Sequence, residues 1–156
     1  MAPTPPLAVD RRLREALWRP YVQDIALACL ERQEDTALVV AIGLRETWLG
    51  TCPGYVPLYT HNGRGDGGHG RGLFQIDDRG PFRALIPPDG EDWPPFVQAQ
   101  AACTVLAAAR QELAEFVGHP SYEMATICRY NAALANVQRA MRAGQDPNLV
   151  TTGKDY

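Results

Sequence analysis

Three carboxylates in this chain have surroundings that suit them to acid–base work: Glu46, Asp66 and Asp77. Glu46 stands in Leu44-Arg45-Glu46-Thr47. The two aspartates belong to Gly65-Asp66-Gly67-Gly68-His69-Gly70-Arg71-Gly72-Leu73-Phe74-Gln75-Ile76-Asp77. Carboxyl groups facing one another across a groove, one giving a proton while the others manage water, are the machinery of glycosidic-bond hydrolysis. On a helix, Glu46 shares a face with Val39, Ile42 and Leu49. A carboxyl on an apolar face is desolvated, which favours its protonated form and suits a general acid near neutral pH. The plainer alternative is a helix rotated slightly, with Glu46 at a solvated edge.

The glycine-dense segment around Asp66 permits tight turns and close approach of another backbone or a ligand. If Leu73 to Asp77 is extended, Leu73, Gln75 and Asp77 point to one side and Phe74 and Ile76 to the other. Gln75 and Asp77 then line a polar groove over a small apolar anchor. Other chemistries compete for the same residues. Arg64-Gly65-Asp66 is a tripeptide bound by some adhesion receptors, but a match of three residues is weak. A metal site built from His61, Asp66 and His69 lacks an evident fourth ligand. A phosphate loop is excluded, because the lysine-serine ending is missing and no strong strand precedes the glycines. Plain turn structure, with the aspartates serving as caps, needs no ligand.

The elements that must position these groups are mostly helical. Residues from about Val9 to Arg19 form an amphipathic stretch that Pro20 interrupts. A helix is expected from Tyr21 to about Gln33, with Val22, Ile25, Ala26 and Cys29 at half-buried spacing. Asp35 or Thr36 caps the next, which runs through residues 37–42 to Gly50; its continuous apolar run makes a buried strand the competing assignment. Residues 51–72 read as a long loop, and Leu73 to Ile76 as a short strand. Further helices are expected over Phe96–Val117, from Tyr122 to about Leu134 with Ser121 as cap, and over Asn136–Ala143. The fold class is therefore mostly α (α+β), with a small irregular or β-like lobe between helices.

With 156 residues and 46% hydrophobic content, the chain is long enough for one core and too short for two independent ones. The expected organisation is a flexible proline-rich leader over residues 1–8 followed by a single domain over residues 9–156. No apolar run reaches the roughly 18 residues of a membrane span, and the N-terminus lacks the order of a secretory signal. A net charge of −3 and a pI near 5.6 argue against nucleic acid as partner. Cys29, Cys52, Cys103 and Cys128 show no metal or redox spacing; free thiols and one or two disulfides both remain open. No cofactor or metal is implied.

Arg45-Glu46-Thr47, the Gly65–Asp77 segment, Tyr130-Asn131-Ala132 and Thr151-Thr152-Gly153-Lys154-Asp155-Tyr156 occur in the order of the motifs of goose-type lysozyme. The chain resembles that family from about Ile25 to Tyr156. The glycine-aspartate loop is the specific part; the arginine-glutamate and tyrosine-asparagine pairs are shared with the wider lytic transglycosylase superfamily. The resemblance implies a lysozyme-like fold, with a helical lobe and a small β-like lobe flanking a saccharide groove. It also implies hydrolysis of the β-1,4 bond between N-acetylmuramic acid and N-acetylglucosamine in bacterial peptidoglycan. Glu46 takes the role of general acid, while Asp66 and Asp77 position and activate water on the opposite face of the sugar. Such inverting chemistry separates the carboxyls by roughly 6.5–9.5 Å. His69, Gln75, Tyr130, Asn131 and Tyr156 are the candidate substrate-binding residues, Tyr130 and Asn131 by matching residues that border the saccharide.

Three departures from the family stand out. The Glu46–Asp66 interval is long, Ala133 replaces a usual glycine, and the chain ends where a final helix normally follows. Rival functions are a lytic transglycosylase, which uses the same glutamate without the water-holding aspartates, and a non-catalytic wall-binding or virion module. A wall substrate together with the missing export signal suggests a phage lysis or tail enzyme, or a module of a larger exported protein. A monomer is the expected state.

Overall fold

The computed structural model of the chain describes residues 21–50, 64–65 and 68–151. The leader, the stretch from Val9 to Arg19, Cys52, His61, Asp66 and Tyr156 lie outside the described residues. The described part is mostly helical with one small antiparallel sheet. No helix among the described residues is long and apolar enough to cross a membrane. The chain groups into two compact units, Met1–Cys103 and Thr104–Tyr156.

In the first unit, helix α1 (Val22–Arg32) packs on helix α2 (Thr36–Thr47). The turn between them is set locally. Gln33 adopts the left-handed conformation that closes α1, and Asp35 caps α2 by accepting the Ala37 N–H at 2.8 Å. Such a cap stabilises a helix by about 1 kcal/mol. Ile25, Ala28 and Cys29 of α1 and Val39, Val40 and Ile42 of α2 are buried, as the three-four spacing of their apolar residues requires. The competing strand assignment for α2 is thereby settled in favour of the helix.

The end of α2 is unusual. Trp48 (φ 53°) and Leu49 (φ 49°) both take left-handed backbone before Gly50. Each such non-glycine residue costs on the order of 1–2 kcal/mol. Leu49 offsets its share by complete burial, whereas Trp48 is 51% exposed. The helix thus ends at Thr47, short of the glycine that was expected to stop it.

Three two-residue strands follow: β1 (Arg64–Gly65), β2 (Gly70–Arg71) and β3 (Ile76–Asp77). They pair antiparallel in chain order, with Gly65 opposite Gly70 and Gly70 opposite Asp77. The expected strand over Leu73–Ile76 is corrected here. Residues 72–75 form a turn, with Gly72 at φ 71° and Gln75 at φ 47°, and only Ile76 and Asp77 are extended. Leu73 and Phe74 are therefore both buried instead of alternating between two sides. Packing against α2 explains the burial of Phe74. A Cβ on Gly43 of α2 would sit 3.1 Å from the Phe74 ring and 2.5 Å from Leu49, so the bare helix surface there lets both side chains close on it.

Helix α3 (Pro95–Glu112) begins with proline at its first position, where the missing N–H costs nothing. Its Gln98 is buried and accepts the Leu73 N–H at 2.6 Å while donating to the Trp93 carbonyl at 2.5 Å. Cys29 and Cys103, Sγ atoms 4.0 Å apart, are free buried thiols, as is Cys128 in the second unit. Burial pushes Cys103 up to about 12 and Cys128 to about 11, so both stay protonated and serve as small apolar groups.

The second unit is built on Leu113, Ala125, Cys128, Val137 and Met141, with Phe116, Tyr122, Leu134 and Val150 packed against them. The long helix expected to reach Val117 ends at Glu112 and continues as a 3-10 turn, Ala114–Phe116. Ser121 precedes helix α4 (Tyr122–Asn131) but makes no side-chain cap. The helix expected to run to Leu134 instead breaks at Ala132 and Ala133, both extended, before helix α5 (Leu134–Arg142). Arg129 holds the break: it bonds the Ala132 carbonyl at 3.2 Å and pairs with Glu112 at 2.7 Å. The turn lets Val137, Ala140 and Met141 bury, which a straight continuation of α4 does not arrange.

Candidate active site

Glu46 is half-buried, one residue before the end of α2. Its neighbour Thr47 is fully buried and donates its hydroxyl to the Leu73 carbonyl at 2.8 Å, while accepting the Gly50 N–H at 3.1 Å. The helix end that carries Glu46 is in this way fastened to the turn that leads into Asp77. A buried hydroxyl bonded to a turn carbonyl contributes about 1 kcal/mol, and its loss leaves that carbonyl unsatisfied at greater cost.

Asp77 displays 46% of its side chain to solvent. Arg79 grips it three ways: backbone N–H to Oδ1 at 2.7 Å, Nε to Oδ1 at 3.0 Å and Nη2 to Oδ2 at 2.7 Å. These hydrogen bonds, before any other cause, hold the Asp77 carboxyl below the usual carboxylate range. Asp77 is an ionised carboxylate with roughly one of its four acceptor positions left for another donor. It can orient a water molecule. It is a weak base, because a depressed pKa makes a carboxylate a poor proton acceptor.

The strand register places Arg71, Ile76 and Asp78 on one side of the β2–β3 ribbon and Asp77 on the other. The first side is packed. Arg71, with 5% of its side chain exposed, pairs with Asp78 at 3.3 Å and with Asp89 at 2.7 Å. His69 continues the ladder: its carbonyl accepts the Asp78 N–H at 3.0 Å, and its Nδ1 lies 2.9 Å from Asp78 Oδ1. The His69 hydrogen bond first, and Arg71 after it, lower the Asp78 carboxyl. Beneath the displayed Asp77 there is thus a polar clasp, His69–Asp78–Arg71–Asp89, that fixes the other side of the ribbon.

Asp77 and Asp78 both release their protons more readily in the folded protein than in the unfolded chain. As pH falls, the unfolded chain therefore takes up protons first. The stability these groups lend is complete above about pH 4 and is lost as pH drops through their lowered folded values. Thermal melts are expected to show a level Tm down to about pH 4 and a fall below it, which Asp78→Asn reduces. A Tm that climbs on acidification would contradict these pairings.

Gln75 folds back on its own turn, Nε2 donating to the Gly72 carbonyl at 2.7 Å. Glu46, His69, Gln75 and Asp77 all belong to the first unit. Tyr130 and Asn131 are the half-buried last residues of α4 in the second. Asp66 and Tyr156 are outside the described residues. Sequence reasoning misses Arg79, Asp78, Arg71 and Asp89 around the ribbon. Only the Asp77-Asp78-Arg79 run hinted at a local ion pair. No protein-family model matches this chain, and no curated protein sequence matches it significantly.

Proposed function

We propose that the chain is a peptidoglycan hydrolase, a muramidase of goose-type lysozyme character. It cleaves the β-1,4 bond between N-acetylmuramic acid and N-acetylglucosamine with inversion. The observation that supports this most is the buried Thr47–Leu73 hydrogen bond. It ties the helix end bearing a half-buried glutamate to the turn from which an ionised aspartate emerges, an acid and a water-holder on one rigid piece of structure. In the reaction Glu46 protonates the glycosidic oxygen as the bond to the anomeric carbon breaks. A water on the opposite face of the ring, oriented by Asp77, attacks that carbon and gives up its proton. Arg79 leaves Asp77 too weak a base to receive it, so the proton-accepting duty falls to Asp66. The substrate is outside the bacterial membrane, and the protein acts there as a monomer with peptidoglycan as its partner.

This division of labour predicts unequal effects. Asp66→Asn is expected to slow hydrolysis of purified peptidoglycan by at least about 100-fold, within the range of a lost general base. Asp77→Asn, which still offers an oxygen to water, is expected to slow it about tenfold. Normal rates in both variants would return the glycine loop to a purely structural role. A larger loss at Asp77 than at Asp66 would reverse their assignments.

A further inference from the structure

We infer that Cys29 and Cys103 are a latent disulfide, which an oxidising environment closes to staple α1 to α3. The two thiols are free, their Sγ atoms 4.0 Å apart across 74 positions of sequence. Both are buried, at 0% and 2% exposure, and both belong to the first unit. At that distance one thiol is a weak hydrogen-bond donor and the other its acceptor. A second contact joins the same two helices close by: Gln100, one turn before Cys103, donates Nε2 to Glu31 Oε2 at 2.7 Å. The sulfurs are thus held in apposition by two packed elements, and neither has a part in the proposed glycan chemistry. Cys128 lies in the core of the second unit.

The bond forms by exchange with a small disulfide such as oxidised glutathione. The thiolate of one cysteine attacks a glutathione sulfur and releases one glutathione thiolate. The second cysteine, as thiolate, then attacks its partner's sulfur and releases the other. Two protein thiols are oxidised, one small disulfide is reduced to two thiols, and the two protons pass to the released thiolates. The sulfurs must close to about 2.05 Å, a movement that side-chain rotation at either cysteine supplies. Burial pushes both thiols up, Cys103 to about 12. Exchange within the folded protein is therefore slow, and the bond closes as the chain folds. The closed loop contains Glu46, Asp66 and Asp77, all three proposed catalytic carboxylates. The proximity of the sulfurs is independent of the proposed activity; the wall substrate bears only on where the bond forms, because compartments outside the bacterial membrane are oxidising.

The test uses the full chain, unfolded and reduced, then refolded in a buffer of oxidised and reduced glutathione. Remaining thiols are alkylated, and the tryptic peptides are mapped by mass spectrometry. A protein lighter by the mass of two hydrogen atoms before alkylation is expected, with Cys29 linked to Cys103 and Cys128 alkylated. Its Tm is expected to exceed that of the reduced protein by about 10 °C, as closing a loop of this length implies, and to return on treatment with dithiothreitol. The double variant Cys29→Ala, Cys103→Ala is expected to melt at one temperature in both buffers. Recovery of Cys29 and Cys103 as free thiols, or linked to other cysteines or to glutathione, overturns the inference. So does a linked protein that melts no higher than the reduced one, or a double variant that keeps the redox-dependent shift. None of these readouts involves wall cleavage, so their failure leaves the hydrolase proposal standing.

Discussion

Glu46→Gln is expected to lower kcat on peptidoglycan by about 10²–10⁴-fold, the usual worth of a general acid, with KM and thermal stability close to the parent values. Glutamine preserves the length and hydrogen-bonding outline of the side chain but has no proton to give to the departing oxygen. The leaving sugar then departs as an alkoxide, and the barrier rises accordingly. A loss confined to kcat identifies an interaction made in the transition state; a rise in KM alone would mean that Glu46 merely holds the glycan. Turbidity clearing of purified walls gives the rate, and calorimetric titration gives the binding. Undiminished clearing by this variant removes Glu46 from the chemistry.

The second large effect concerns the turn that joins the two halves of the site. Gly72→Ala is expected to destabilise the protein by about 3 kcal/mol. One part is the left-handed backbone at φ 71°, which costs a residue with a Cβ on the order of 1–2 kcal/mol. The other is overpacking. The new methyl would meet the Gln98 amide oxygen and lie 2.8 Å from the Trp93 ring, and both of those side chains are buried. Gln98 cannot retreat without giving up its bond to the Leu73 N–H. For a chain of this size the loss corresponds to a Tm lower by about 6–12 °C. Activity is expected to fall further than stability alone requires, because Leu73 is also the acceptor of the Thr47 hydroxyl. A Gly72→Ala protein with the parent denaturation midpoint would mean that the turn is built differently.

The sequence carried the helices of the first unit well, for physical reasons. Apolar spacing, the Asp35 cap and the alanine-rich run after Pro95 are local signals, and local signals survive folding. The Leu73–Ile76 segment was misleading. Its alternation was compatible with a strand, but Gly43 offers a bare patch on which Phe74 closes, Leu73 is buried as well, and tertiary packing overrode the pattern. The break at Ala132 and Ala133 was hidden in the same way, since alanine favours helix and the Arg129 that holds the break is itself fixed by Glu112, seventeen residues earlier. Within the candidate site, Glu46 and Asp77 were visible from residue type and setting. Their partners were not. Asp78 meets His69 and Arg71 only through the register of very short strands, and Asp89 reaches Arg71 across eighteen residues.

The most direct measurement is digestion of purified peptidoglycan in ¹⁸O-labelled water, followed by mass spectrometry of the soluble fragments. Fragments with a free reducing end bearing one heavy oxygen are the predicted product, because solvent supplies the atom that replaces the glycosidic one. Anhydro fragments without label would contradict hydrolysis and assign the cut to an internal sugar hydroxyl; intact walls would contradict cleavage of the glycan altogether.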